Sequence, residues 1–116
     1  MNFLNNLNNI NVGINCTVNA MSIYYLDQLQ TWSDQCGNTK LQFSKCFGTW
    51  GLSACPENVR SLVREKLGPD HEVCHMLNQE PANDQCTQVL IKQMDHLDSQ
   101  RGTNWRKTFA EIQHYF

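Results

Sequence analysis

What most constrains this chain is its set of cysteines: six in 116 residues, at positions 16, 36, 46, 55, 74 and 86, spread along the sequence instead of clustered. Structural zinc wants at least one pair of ligands two to four residues apart, and no C-x-x-C occurs, so neither a zinc ribbon nor a thioredoxin-like redox site is implied. An even number of widely spaced cysteines in a short chain reads as three disulfides shared among Cys16, Cys36, Cys46, Cys55, Cys74 and Cys86, each contributing on the order of 2 to 4 kcal/mol. Such bonds persist in oxidising compartments, so the chain is expected to be secreted or extracellular. Residues 1–11 carry no continuous apolar signal segment and no small-residue cleavage site, which counts against secretion unless the numbering starts on a mature chain. Asn15-Cys16-Thr17 is a formal N-glycosylation sequon, making Asn15 a candidate acceptor.

The length is one domain's worth, enough for a single modest core. An irregular asparagine-rich arm is expected over residues 1–15, because spacings of three (Leu4, Leu7, Ile10) and of two (Ile10, Val12, Ile14) conflict there. A single disulfide-stapled helical domain follows over 16–116. Val18, Met21, Tyr25, Leu29 and Trp32 predict a helix from Thr17 to about Asp34, and a rise of 1.5 Å per residue puts its flanking Cys16 and Cys36 roughly 25 Å apart, too far to bond to each other. A second helix is expected over 40–47 from Phe43, Cys46 and Phe47. Pro56 and Glu57 open a third, with Val59, Leu62, Val63 and Leu67 as its stripe, and Gly68-Pro69 ends it. Asp70 caps a short fourth over 72–77, and a fifth runs over 83–99 with Cys86, Val89, Leu90, Met94 or Gln93, and Leu97 inward. Thr103 caps a last helix whose inner face is Trp105, Phe109, Ile112 and Phe116. No hairpin joins two alternating runs, so the expected fold is all-α, a compact array of five or six short helices cross-linked by three disulfides.

Composition excludes several roles. A formal charge of −2 and interspersed signs around Arg60, Arg64, Lys66, Arg101, Arg106 and Lys107 give no phosphate track, so no nucleic-acid partner is implied. No segment approaches the roughly 20 apolar residues of a membrane span. His71, Cys74 and His75 fall at i, i+3 and i+4, but a bonded Cys74 would leave His71 and His75 as weak metal candidates only, so no metal or cofactor is implied. Asp95, His96 and Asp98 sit one and two positions apart, where helical side chains do not face each other, and no nucleophile elbow or calcium loop accompanies them.

The aromatics stand out as binding candidates. Most belong in a core, but Trp50 and the terminal Tyr115 and Phe116, if exposed, suit a protein contact, and Trp32 and Tyr24 are further candidates. The expected function is therefore a secreted, non-enzymatic binding protein acting on a protein partner, of the receptor-ligand, toxin or host-directed effector kind. A carrier of a small apolar ligand, lipid or odorant, in a helical cavity is the alternative, and a small secreted hydrolase is the third reading.

Overall fold

The computed structural model describes residues 12–37 and 39–116; the first eleven residues of the expected arm, with Leu4, Leu7 and Ile10, lie outside them. Two strands, β1 (Val12–Val18) and β2 (Thr39–Lys45), form a two-stranded parallel sheet with Val12 opposite Thr39, Cys16 opposite Phe43 and Val18 opposite Lys45. Along both strands half-buried and exposed residues alternate: Ile14, Cys16, Leu41 and Phe43 turn inward while Asn15, Thr17, Gln42 and Ser44 face water. On the wet face the Ser44 hydroxyl donates to Asn15 Oδ1 at 3.1 Å, so the sequon asparagine is exposed in a strand.

Five α-helices complete the described residues: α1 (Leu26–Gln35), α2 (Glu57–Leu67), α3 (Glu72–Gln79), α4 (Asp84–Arg101) and the single turn α5 (Trp105–Thr108). Single 3-10 turns lie at Ile23–Tyr25, Gly48–Trp50, Leu52–Ala54 and Gln113–Tyr115. α1 and α3 pack on β2, and α4 packs across the two central 3-10 turns. Val18, Met21, Ile23, Leu52, Val59, Val63, Val73, Leu77, Leu90 and Ile112 are all essentially inaccessible and make one continuous core.

The all-α expectation is thus corrected, and the reasons are local. The helix expected from Thr17 begins only at Leu26, because Asn19 intervenes: its Oδ1 accepts from Met21 N at 2.9 Å and Ser22 N at 2.8 Å, an Asx turn that ends β1. The helix expected over 40–47 is β2, whose period-two alternation outweighs the steps of three read from Phe43 to Cys46. The last helix stops after one turn, capped by Asn104 and not Thr103, with Asn104 Oδ1 accepting from Lys107 N at 3.2 Å. The fourth is capped by His71 instead of Asp70, through Nδ1 accepting from Val73 N at 3.1 Å.

The three expected disulfides are also corrected: all six cysteines are free thiols. The sulfurs meet backbone instead of one another, Cys74 Sγ donating to Gly68 O at 3.3 Å, Cys46 Sγ to Phe47 O at 3.6 Å and Cys55 Sγ to Pro56 O at 3.9 Å. Cys36, Cys55 and Cys74 are buried and behave as small apolar core residues, while Cys16 and Cys86 pack against the core's edge. Burial pushes the Cys55 thiol up to about 12, against the downward pull of Arg60, and raises Cys16 and Cys74 as well. Protonated, these thiols are poor nucleophiles. With no bond formed, the cysteines no longer imply a secreted chain. Alkylation under denaturing, non-reducing conditions is expected to add six labels per chain, and melting with and without reductant is expected to give the same midpoint; mass spectrometry and calorimetry read the two outcomes.

Candidate functional site

Arg60 anchors the region from which the site is built. Its side chain is 1% exposed, yet no carboxylate pairs with it among the described residues. Instead Nε donates to Cys55 O at 2.8 Å, Nη1 to Leu77 O at 2.9 Å and Nη2 to Leu52 O. One guanidinium thereby ties the two ends of the Leu52–Ala54 turn to the last turn of α3, which is the arrangement a buried fork of donors suits. Burial lowers its pKa from the ordinary arginine value, with the nearby Cys55 and Glu57 opposing that shift.

Next to this anchor the chain makes a tight, glycine-closed turn. Gly48 adopts φ +83°, and Gly51 N donates to Gly48 O at 2.9 Å. A Cβ on Gly51 would lie 3.0 Å from that same Gly48 oxygen and 3.3 Å from Cys46 O, so only glycine fits without movement of backbone. Phe47 stands at the start of this turn with 79% of its surface exposed. Facing the turn is the first part of α4, where Asn83 Oδ1 accepts from Gln85 N and Cys86 N and so fixes the helix start. Between them lies an open groove of about 360 Å³ lined by Gly48, Thr49, Asn83, Gln85, Cys86 and Val89. None of these side chains carries a formal charge. Val89, expected in the core, is 54% exposed on the groove's rim. Of the two large hydrophobic residues exposed among the described residues, Val89 lines this groove and Phe47 immediately precedes Gly48 of its lining.

A second, smaller groove of about 180 Å³ opens between α4 and the C-terminal segment, with Trp50, Met94, Leu97, Trp105 and Phe109 as its apolar floor. Its wall is held by a polar clamp. Asp95 Oδ1 accepts from Trp105 Nε1 at 2.8 Å and from Arg106 Nη1 at 2.7 Å, while Asp98 accepts from the Thr103 hydroxyl and Trp105 N at 2.7 and 2.9 Å. Across the segment Tyr25 donates its hydroxyl to Glu111 Oε2 at 2.6 Å; burial and then Glu111 push that hydroxyl above the ordinary tyrosine range.

No protein family model, curated protein or solved structure matches this chain. Its candidate sites accordingly stand on their geometry alone.

The structure distributes the residues singled out in the sequence. Trp50 lines the smaller groove, half-buried, and its carbonyl accepts from Ala20 N at 3.0 Å. Phe116 lies edge-on to Trp105 at 6.0 Å, and Tyr115 is half-buried against the core beside His114. Tyr24 sits under Lys66 Nζ, 3.6 Å from the ring centre, and Trp32 is half-buried in α1; neither reaches a groove. His71 is occupied as a cap and packs on Phe43, His75 is exposed, and no three metal-ligating side chains converge among the described residues. Asp95 and Asp98 serve the clamp, and His96 points into water. Among the described residues no helix is long and apolar enough to cross a membrane. Sequence reading missed Phe47 and Val89 as surface residues; the signal that could have found Phe47 is the glycine pair that follows it.

The clamp carries a pH dependence. Hydrogen bonds from Arg106 and then Trp105 hold the Asp95 carboxyl below its ordinary 3.8, and the Tyr25 hydroxyl holds Glu111 below its ordinary 4.5. An acid depressed in the folded state contributes stability that is complete above its ordinary pKa and is lost as pH falls through the folded value. The C-terminal segment is therefore expected to stay docked above about pH 5 and to loosen below about pH 4, seen as a tryptophan emission change. Asp95→Asn is expected to remove most of that titration.

Proposed function

We propose that this chain is a non-enzymatic protein-binding domain whose contact surface centres on Phe47, Val89 and the groove between the Gly48 turn and α4. The observation that carries this reading is the 79% exposure of a phenylalanine on a turn that only glycine can close, beside a second exposed apolar residue. Singly scattered apolar residues on a surface are ordinary; one exposed residue lining an uncharged groove, with a second next to that lining in the chain, is an arrangement that interfaces use. Aromatic anchors of this sort dominate binding energies. The test compares wild type with Phe47→Ser as immobilised bait, with retained proteins quantified by mass spectrometry and each bait's fold verified by circular dichroism. At least about a tenfold loss of one retained partner is expected in the variant; equal retention counts against the reading.

Carriage of a small apolar ligand has the Trp50–Trp105–Phe109 groove in its favour, because three aromatic rings meet there. At about 180 Å³ that groove falls below the ≈300 to 1,000 Å³ of typical ligand pockets, which places this reading second. Saturable quenching of tryptophan emission by an apolar probe, lost in Trp50→Ala, would reverse the order.

A further inference from the structure

We propose that the partner seated on this patch is a second copy of the same chain, each copy's Phe47 ring entering the other's groove across a two-fold axis; this names the partner of the binding reading above and rests on it. Knob and hole are neighbours: Phe47 is followed directly by Gly48 and Thr49, which line the groove. A protruding group beside a recess that fits it is self-complementary, since a two-fold rotation brings the knob of each copy over the hole of the other. The sizes agree. A cavity of about 150 Å³ holds a benzene molecule, so the groove of about 360 Å³ accepts a phenyl ring with room for the approach of its backbone. Charge agrees as well, because the lining of Gly48, Thr49, Asn83, Gln85, Cys86 and Val89 has no formal charge and two such faces do not repel. A foreign partner of strong charge would find nothing in this groove to pair with.

The expected strength follows from area. An aromatic ring buries about 150 to 250 Å², so two rings, two valines and the groove rims stay below the ≈1,200 Å² of standard interfaces. The dimer is accordingly weak, with a dissociation constant between about 1 μM and 1 mM.

Sedimentation equilibrium of the full chain from about 5 μM to 1 mM, with reductant present so that no intermolecular disulfide mimics association, tests this. The mass is expected to rise with concentration from 13.4 kDa toward twice that value. Phe47→Ser is expected to weaken association at least about tenfold with an unchanged melting midpoint, because the ring already lies in water in the single copy. Gln85→Trp fills the hole while leaving the knob, and is expected to be equally defective alone. Mixing the two variants restores one knob-in-hole contact and hence measurable association, an outcome that a merely structural role for either residue would not produce. A wild type that stays at 13.4 kDa throughout overturns self-association, and if it still loses a retained partner in Phe47→Ser the binding reading survives. A Phe47→Ser variant that both dimerises and retains partners as the wild type does overturns both.

Discussion

Replacing Arg60 by methionine is expected to lower the unfolding free energy by about 3 to 5 kcal/mol, although the two side chains are similar in length. The loss is electrostatic and geometric: three bonds from a charged donor disappear, each worth about 1.5 to 3 kcal/mol before the relief of the buried charge's own desolvation, and the Cys55 carbonyl is left without a donor, while Leu52 O keeps Cys55 N and Leu77 O keeps Glu80 N. Denaturant unfolding followed by circular dichroism measures this, with Arg64→Met as the internal control. Arg64 lies one turn away and makes a surface pair with Glu57 at 2.9 Å. Its removal is expected to cost less than about 1 kcal/mol. Arg60→Lys supplies an ammonium that cannot span three carbonyls in a planar fork, so an intermediate loss is expected. Equal effects at positions 60 and 64 would mean that the Cys55 carbonyl finds another donor and that the backbone donors of Leu52 O and Leu77 O suffice.

Trp105→Ala is the second large effect, again about 3 to 5 kcal/mol, the range for truncating a buried aromatic. The ring is 6% exposed, its indole N–H is held by Asp95, Arg106 lies 4.5 Å over its face and Phe116 meets it edge-on. Phe109, on the same expected stripe, is only half-buried, and its truncation is expected to cost less, about 1 to 2 kcal/mol. The structural outcome should also differ. A single-turn helix cannot persist without its packing, so amide exchange over residues 105–116 is expected to lose protection in Trp105→Ala before the rest of the domain does. Uniform loss of protection would instead make this segment part of one cooperative unit.

Legibility in the sequence followed the range of the signals. α2 and α4 were readable because their punctuation is local: Pro56 with Glu57 at one start, Asn83 at the other, Gly68 and Gly102 past the ends. β1 and β2 were not, because parallel partners need no hairpin between them. Thr39 lies 27 positions from Val12, and nothing near either strand announces the other. The alternation of Val12 and Ile14 was visible, but reading Cys16 as half of a disulfide hid its place as the next inward residue of that series. Arg60 was hidden for a different reason: charge suggests a wet face, and only the three-dimensional meeting of three carbonyl ends makes a buried guanidinium favourable. Phe47 and Val89 both fit apolar stripes by spacing, and their exposure depends on where the turn at Gly48 lies against α4. Of the candidate site, then, the residue types could be named beforehand and their side of the surface could not.

The turn that carries Phe47 also determines what a contact there would cost. Val18 O receives Cys46 N at 2.9 Å on one side of the ring, and the Gly48–Gly51 closure locks the other. Fixing a backbone residue removes about 1 to 2 kcal/mol of conformational entropy, and for this turn that loss belongs to folding rather than to association. A partner has only the rotamers of the phenylalanine itself to restrict, about 0.5 to 1.5 kcal/mol. A small patch on a stiff mount can in this way bind as well as a larger one on a slack loop. Loosening the mount, by placing a side chain at Gly51, would weaken the contact without touching any atom of it.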